Sequence, residues 1–229
     1  MQYVRTMTAI VALGVVATVG APAQADNFAP PEYVGAELSV SAEWEFNDGG
    51  ANPSDPSFFT QVADDANERE ADDTITRATV TDMSWLMGPD NDGRWVADQG
   101  SIGTMSFDVA NWIDFQSTKF MRVQITFGPD ESVEPVDDPT ITQVTAVDNE
   151  IGAVPPENIQ SLGIEQFDQG RIVEDFMIQP NPDHETVVME VPQGTFVDQV
   201  WIDTVSVPEP ASMALLGAGG LGLLARRRR

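Results

Sequence analysis

Acidic side chains are the most numerous chemistry-bearing residues of the sequence. Among 229 residues there are 37 Asp and Glu against 11 Lys and Arg, which gives a formal net charge of −26. Such a chain repels the phosphate backbone, so nucleic acid is excluded as a direct partner. The sequence has no cysteine and one histidine, His184. Thiolate metal sites, thiol catalysis and disulfide bonds are therefore excluded, and a Ser/His/Asp triad would need His184.

One short acidic run has the composition of a cation-binding loop. Asp90-Asn91-Asp92-Gly93 offers oxygen ligands on a tight turn, as Ca²⁺ sites do. A complete EF-hand would need an acid in place of Gly88 and a Glu in place of Gln99. A β-turn in which Asp and Asn bond their own backbone is therefore the favoured interpretation. The sequence requires no cofactor, and Ca²⁺ on Asp90 and Asp92 is its one candidate.

Tryptophan residues suggest a carbohydrate site, because flat aromatic faces pack on sugar rings. Trp44 and Trp201 lie in strand patterns and are predicted to be in the core. Trp85 and Trp95 flank the acidic turn, and we expect them to lie together near one rim of the fold. They are the candidate carbohydrate residues, with ordinary packing as the alternative.

Paired carboxylates could perform the acid–base chemistry of a glycosidase. Adjacent acidic residues are no more frequent here than so acidic a composition produces by chance. The Glu-x-Asp-x-x-Glu motif of laminarinase-like sandwich hydrolases is absent, since Glu43-Trp44-Glu45 lacks both its Asp and its spacing. We predict that the protein is not an enzyme, and an extracellular glycan hydrolase remains the alternative.

Apolar residues alternate with polar ones along most of the central sequence, which is the period of a half-buried strand. Examples are Leu38 to Phe46, Met105 to Val109, Met121 to Phe127 and Ile172 to Ile178. Clusters of Pro, Gly, Asn and Asp separate these runs. The pattern predicts an all-β domain, an antiparallel two-sheet sandwich that is jelly-roll-like and has eight or nine strands.

The first 25 residues have the layout of a secretory signal peptide. Arg5 precedes an apolar stretch from Met7 to Gly20, and Ala23-Gln24-Ala25 follows. Small side chains at Ala23 and Ala25 suit signal peptidase, so we predict cleavage between Ala25 and Asp26. The signal segment 1–25, predicted to be helical, would thus take the chain across the inner membrane and be removed from an acidic domain of residues 26–206.

The C-terminal segment 207–229 has three parts. Pro208-Glu209-Pro210 is followed by an apolar stretch from Ala211 to Ala225 and by four arginines, Arg226, Arg227, Arg228 and Arg229. As a helix, the apolar stretch would rise ~23 Å, which is short of a hydrocarbon core of ~30 Å. The arginines would hold the end of the chain in the cytoplasm. The pattern predicts a hydrophobic helix that acts as a temporary anchor.

This layout resembles the PEP-CTERM sorting signal of Gram-negative bacteria. The resemblance implies that an exosortase, a membrane protease, recognises Pro208-Glu209-Pro210 and removes the tail. It also implies delivery to the cell surface or into an exopolysaccharide matrix. The stretch Val197 to Pro210 is similar to the last strand of jelly-roll domains that precede this signal. We expect an exported surface or matrix protein, carbohydrate-associated or Ca²⁺-dependent, with a purely structural coat or adhesion subunit as a further alternative.

Overall fold

The computed structural model describes seven ranges of the chain: 36–62, 76–88, 92–111, 116–129, 137–148, 151–167 and 170–207. Several predicted features lie outside these ranges: the signal peptide with its cleavage point between Ala25 and Asp26, the sorting helix with the Pro208-Glu209-Pro210 motif, and Asp90. Within them, no helix is long and apolar enough to cross a membrane. The only helical element there is a single 3₁₀ turn, Pro156–Asn158.

Thirteen strands occupy the described ranges: β1 Ser39–Trp44, β2 Phe58–Val62, β3 Arg77–Thr81, β4 Met83–Met87, β5 Gly93–Ala97, β6 Gly103–Ala110, β7 Thr118–Pro129, β8 Thr140–Asp148, β9 Gly152–Ala153, β10 Ile159–Phe167, β11 Arg171–Ile178, β12 His184–Val191 and β13 Thr195–Val207. They form two sheets. The large sheet has the order β10-β11-β7-β13-β1-β2, with β5 also paired to β13 and β4 paired to β5. The small sheet has the order β3-β6-β12-β8-β9.

Every strand pair in these sheets is antiparallel, so the predicted two-sheet sandwich is confirmed. The core lies between the sheets. Trp44 of β1 is fully buried, and its ring meets that of Phe107 of β6 edge-on at 5.0 Å. Trp44 also donates its indole N–H to the carbonyl of Ser54 at 3.3 Å. The alternation that predicted these strands exists because one face of each is buried in this core.

The predicted count of eight or nine strands is too low, because several strands lack the alternation on which it relied. The nine residues of β10 are exposed except for the half-buried Ile159, so no apolar stripe marks that strand. β4 and β5 form a short hairpin that joins the large sheet where β5 pairs with β13. The predicted acidic turn lies between these two strands. β9 has two residues only. A strand is recognised in a sequence when buried and exposed residues alternate along it. β4 and β10 are mostly exposed, whereas β5 is buried in four of its five residues, so these strands do not show that alternation.

Candidate functional site

The outer face of the large sheet carries a row of polar and aromatic side chains at the middle of β13. Trp201 lies directly opposite Glu43 of β1 on one side and Gln124 of β7 on the other. Phe58 of β2 lies opposite Glu43 and extends the row. Gln199 and Asp203 are two residues from Trp201 along the same strand and share its face. We call these six residues the Trp201 face: Glu43, Phe58, Gln124, Gln199, Trp201 and Asp203.

Two aromatic rings form the apolar part of the Trp201 face. The ring centroids of Phe58 and Trp201 are 5.7 Å apart, with an angle of 39° between the ring planes. Phe58 is 41% exposed and Trp201 is half-buried. The prediction that Trp201 lies in the core is therefore wrong, because the residue is on the outer side of its sheet. A partly exposed aromatic pair is the kind of surface on which the apolar face of a sugar ring packs.

Two buried amide groups beside Trp201 retain unused hydrogen-bonding capacity. Gln199 donates from Nε2 to Oε1 of Glu43. Its Oε1 atom has no partner among the described residues, and neither has Nε2 of Gln124. The first atom is an acceptor and the second is a donor, and an unsatisfied buried polar group is costly. A hydroxyl group can donate to an atom of the first kind and accept from one of the second, so both match the hydrogen-bonding groups of a sugar.

Asp203 fixes the orientation of the Trp201 indole. Its carboxylate is fully buried and accepts the indole N–H of Trp201 at 2.9 Å. Burial raises the pKa of Asp203 to about 6, against the opposing effects of hydrogen bonding from Ser41 and Trp201 and of the charge on Arg122. Arg122 lies opposite Asp203 and forms a bidentate ion pair with Asp175, with N–O distances of 2.7 and 2.8 Å. These contacts hold the indole in place before any ligand arrives.

The structure brings the predicted carbohydrate residues together, but it turns them inward. Trp85 and Trp95 are direct cross-strand partners in the β4–β5 hairpin. Trp95 is 5% exposed and belongs to the core, and half-buried Trp85 packs against that core. The indole N–H of Trp85 donates to the carbonyl of Phe46 at 2.8 Å. The pair thus has the packing role that the sequence left open as the alternative.

The predicted calcium residues can be placed only in part. Asp92 is half-buried, and its backbone carbonyl accepts the N–H of Gly88 at 2.6 Å, which closes the turn. Its predicted partner Asp90 is outside the described ranges. Over the ranges that are described, no group of three or more His, Asp or Glu residues is arranged to hold a metal ion.

A buried polar cluster between the sheets secures the end of β13. Asn111 donates to Glu185 of β12 and accepts from the hydroxyl of Thr204. Lys119 is fully buried and donates to the hydroxyl of Ser206 at 2.7 Å. Burial raises the pKa of Glu185 to about 8, a rise that the charge of Lys119 and the Asn111 bond oppose and that Asp183 increases. The last residues of the strand are therefore fixed before the chain leaves the sheet.

An open cavity lies at one end of the sandwich. Its volume is about 630 Å³, and its lining includes Asp137, Asp138 and Glu190. Gln166 of β10 reaches into the same region and donates to Asp138 at 3.3 Å. Carboxylates dominate the charge of this lining, so it disfavours anionic ligands. No local sequence pattern predicts this cavity, because its residues come from separate loops and strand ends.

Comparison with known proteins identifies the C-terminal segment. Residues 206–229 match the PEP-CTERM protein-sorting motif. The match confirms the resemblance seen in the sequence, and the chain carries this sorting motif. Its first two residues, Ser206 and Val207, are also the last two residues of β13. Pro208, Glu209, Pro210 and the four arginines lie outside the described ranges.

No curated protein matches the chain. Two solved structures show weak similarity. A tryptic core variant of Cry1Da from Bacillus thuringiensis is 12% identical over 58% of this chain and 24% of that chain, with a TM-score of 0.29. A β-glucosidase from Kluyveromyces marxianus in complex with glucose is 9% identical over 76% of this chain and 16% of that chain, with a TM-score of 0.24. Similarity this weak carries no argument about function.

Proposed function

We propose that this protein, which carries the PEP-CTERM sorting motif, is held in the extracellular matrix of a Gram-negative bacterium by binding a neutral glycan. The sorting motif implies export, a transient C-terminal anchor and the surface as destination. The observation that carries the glycan proposal is the Trp201 face, in which a partly exposed aromatic pair adjoins buried, unused amide groups. The net charge of −26 favours a neutral polymer, because an acidic exopolysaccharide would be repelled.

Processing by exosortase at Pro208-Glu209-Pro210 is part of this proposal. The body of the protein ends at the motif itself, since β13 extends to Val207 and Ser206 donates its backbone N–H to the carbonyl of Leu38 at 3.1 Å. Cleavage there would remove the C-terminal anchor that the motif implies. Retention at the surface would then depend on non-covalent binding to another surface component, for which the Trp201 face is our candidate.

We further propose that binding at the Trp201 face proceeds without hydrolysis. A glycosidase needs two carboxyl groups that reach the scissile bond from opposite sides. Here Glu43 accepts a hydrogen bond from Gln199, and Asp203 is fully buried and bound to the Trp201 indole. The alternative, a glycan hydrolase, predicts release of reducing ends from a bound polymer. Mixtures of protein and polymer that gain no reducing ends over a day support binding without hydrolysis.

The glycan proposal is tested by affinity electrophoresis through gels that contain dextran, laminarin or hydroxyethylcellulose. We expect at least one neutral polymer to retard the exported protein. Replacing Phe58 with Ala should weaken that retardation about tenfold, which corresponds to ~1.4 kcal/mol. Phe58 suits this test because it is 41% exposed, so its loss should not unfold the protein.

The control is Ile151→Ala, since Ile151 is 62% exposed and lies between β8 and β9 of the small sheet, away from both the Trp201 face and β10. This variant should migrate as the unaltered protein does. Equal weakening by both substitutions would show that general apolar exposure causes the retardation. Migration unaffected by any neutral polymer would contradict the glycan proposal.

Dependence on Ca²⁺ is a separate proposal, which rests on the acidic turn with Asp90 and Asp92. It is tested by calorimetric titration of Ca²⁺ into the exported protein together with its melting temperature. Saturable micromolar binding that raises the melting temperature and disappears in Asp92→Asn supports the site. Absence of saturable binding would leave the acidic turn with a structural role only, and attachment to glycan would then be independent of chelators.

A further inference from the structure

We propose that β10 is a pairing edge through which two copies of this protein join their large sheets. β10 is the end strand of the large sheet, with β11 on one side and no other described strand on the other. Eight of its nine residues are exposed. This inference is independent of the glycan proposal, since β10 lies at the edge of the sheet and the Trp201 face lies at its middle.

The side chains of β10 are unusual for an open edge. Eight large apolar residues are exposed in the described ranges, and three of them are on this strand: Leu162 at 54%, Ile164 at 58% and Phe167 at 39%. Natural sheets protect their edges with Lys, Pro, bulges, short strands or inward-facing charges. β10 has nine residues with no Lys, Arg or Pro, and its one bulge lies between Ser161 and Gly163. The regular part of the strand, from Gly163 to Phe167, is therefore the part that can pair with another strand.

The low charge of β10 permits a second copy at this edge. The chain has a net charge of −26, so two copies repel each other over most contacts. β10 has a single acidic residue, Glu165, among its nine. A contact made here therefore brings few carboxylates together.

The strand register shows how two copies would match. A bulge separates Ser161 from Gly163, and the register from Gly163 to Phe167 is regular. Gly163 and Glu165 lie opposite Asp175 and Val173 of β11, so both are on the outer face, whereas Ile164 is on the inner face. An antiparallel pair centred on Ile164 places Ile164 against Ile164 and each Glu165 against Gly163 of the other copy. The two Ile164 side chains then meet and the two Glu165 carboxylates do not face each other.

The absence of cysteine from the chain permits a direct test by cross-linking. Full-length Ile164→Cys is expressed in an exosortase-bearing Gram-negative host, so that the single thiol reaches an oxidising compartment. Opposed Cα atoms in an antiparallel pair are ~4.5–5.5 Å apart, which a disulfide can span. The matched control is Ile102→Cys, because Ile102 is 59% exposed and lies outside β10.

We expect a disulfide-linked homodimer from Ile164→Cys at a level several-fold above that from Ile102→Cys. Three outcomes would overturn the proposal: equal cross-linking of the two variants, no cross-linking, or linkage of the introduced β10 thiol mainly to a different protein.

A second measurement is sedimentation velocity of the exported protein without any added cysteine. Its dimer fraction should rise with salt, which screens the repulsion between the acidic copies, and Ile164→Lys should abolish that rise. A monomer at every salt concentration would also overturn it.

Discussion

Replacing Glu185 with Gln should raise the stability of the protein at pH 8 by an amount on the order of a few kcal/mol. Glu185 is fully buried, and burial raises its pKa from 4.5 to about 8. Below pH 4.5 the carboxyl is protonated in both the folded and the unfolded chain. Between pH 4.5 and pH 8 the unfolded chain ionises while the folded protein retains its proton, so the free energy of unfolding falls as pH rises. The glutamine of the variant cannot ionise, so the variant should not show this fall.

The measurement is chemical denaturation of the exported protein at pH 4.5, 6 and 8. A glutamine at this position can still accept the hydrogen bond from Asn111. Asp203 and Glu174 also have raised pKa values and contribute to the slope of the unaltered protein, so the difference between the two proteins isolates Glu185. Glu157→Gln is the control, because it makes the same chemical change at an exposed position away from β10 and the core. If Glu185→Gln and the unaltered protein respond equally to pH, burial does not control this carboxyl.

Trp44→Ala should cost ~3–5 kcal/mol, the usual loss for removing a large aromatic residue from a packed core. Trp44 is fully buried, contacts Phe107 edge-on and donates to the carbonyl of Ser54. Its removal therefore leaves a cavity between the sheets and takes away one of the two hydrogen bonds that the Ser54 carbonyl accepts, the other coming from the N–H of Ala78 at 2.8 Å. For a domain of this size the melting temperature should fall by about 10 °C, which calorimetry would measure.

Two further substitutions separate the causes of this loss. Trp44→Phe keeps an aromatic ring and removes the indole N–H, so it should cost less than half as much. Trp201→Ala removes a half-buried Trp from the outer face and its hydrogen bond to the buried carboxylate of Asp203, so it should cost less than Trp44→Ala, about 2 kcal/mol. Equal losses for Trp44→Ala and Trp201→Ala would contradict the assignment of the two residues to opposite faces of the large sheet.

Trp44 and Trp201 differ in whether the local sequence predicts the face of the sheet on which they lie. Val197 faces the core, and a strict period of two would turn Gln199 and Trp201 inward with it. The register of β13 against β7 shifts between Val197 and Gln199, so Val200 and Ile202 face the core instead. A bulge of this kind depends on the partner strand and leaves no signal in the local sequence. Trp201 therefore lies on the outer face, contrary to its prediction.

Other parts of the fold could be predicted because they depend on local patterns. The apolar residues that alternate with polar ones in β1 and β6 lie in the core between the sheets, and this alternation correctly indicated an antiparallel sandwich. The sorting motif could also be identified, since its recognition depends on a contiguous stretch of sequence. The Trp201 face could not, because its residues come from four strands, β1, β2, β7 and β13, whose adjacency is set by the sheet order.

The most direct test of the account follows the exported protein in a culture that makes its own surface polysaccharide. Full-length protein and the variant Trp201→Ala are expressed with the sorting motif intact, and each is measured in the polysaccharide fraction and in the medium. We predict that the unaltered protein remains with the polysaccharide and that Trp201→Ala, folded by its melting curve, appears mainly in the medium. Equal distribution of the two proteins between the fractions would contradict glycan binding through the Trp201 face.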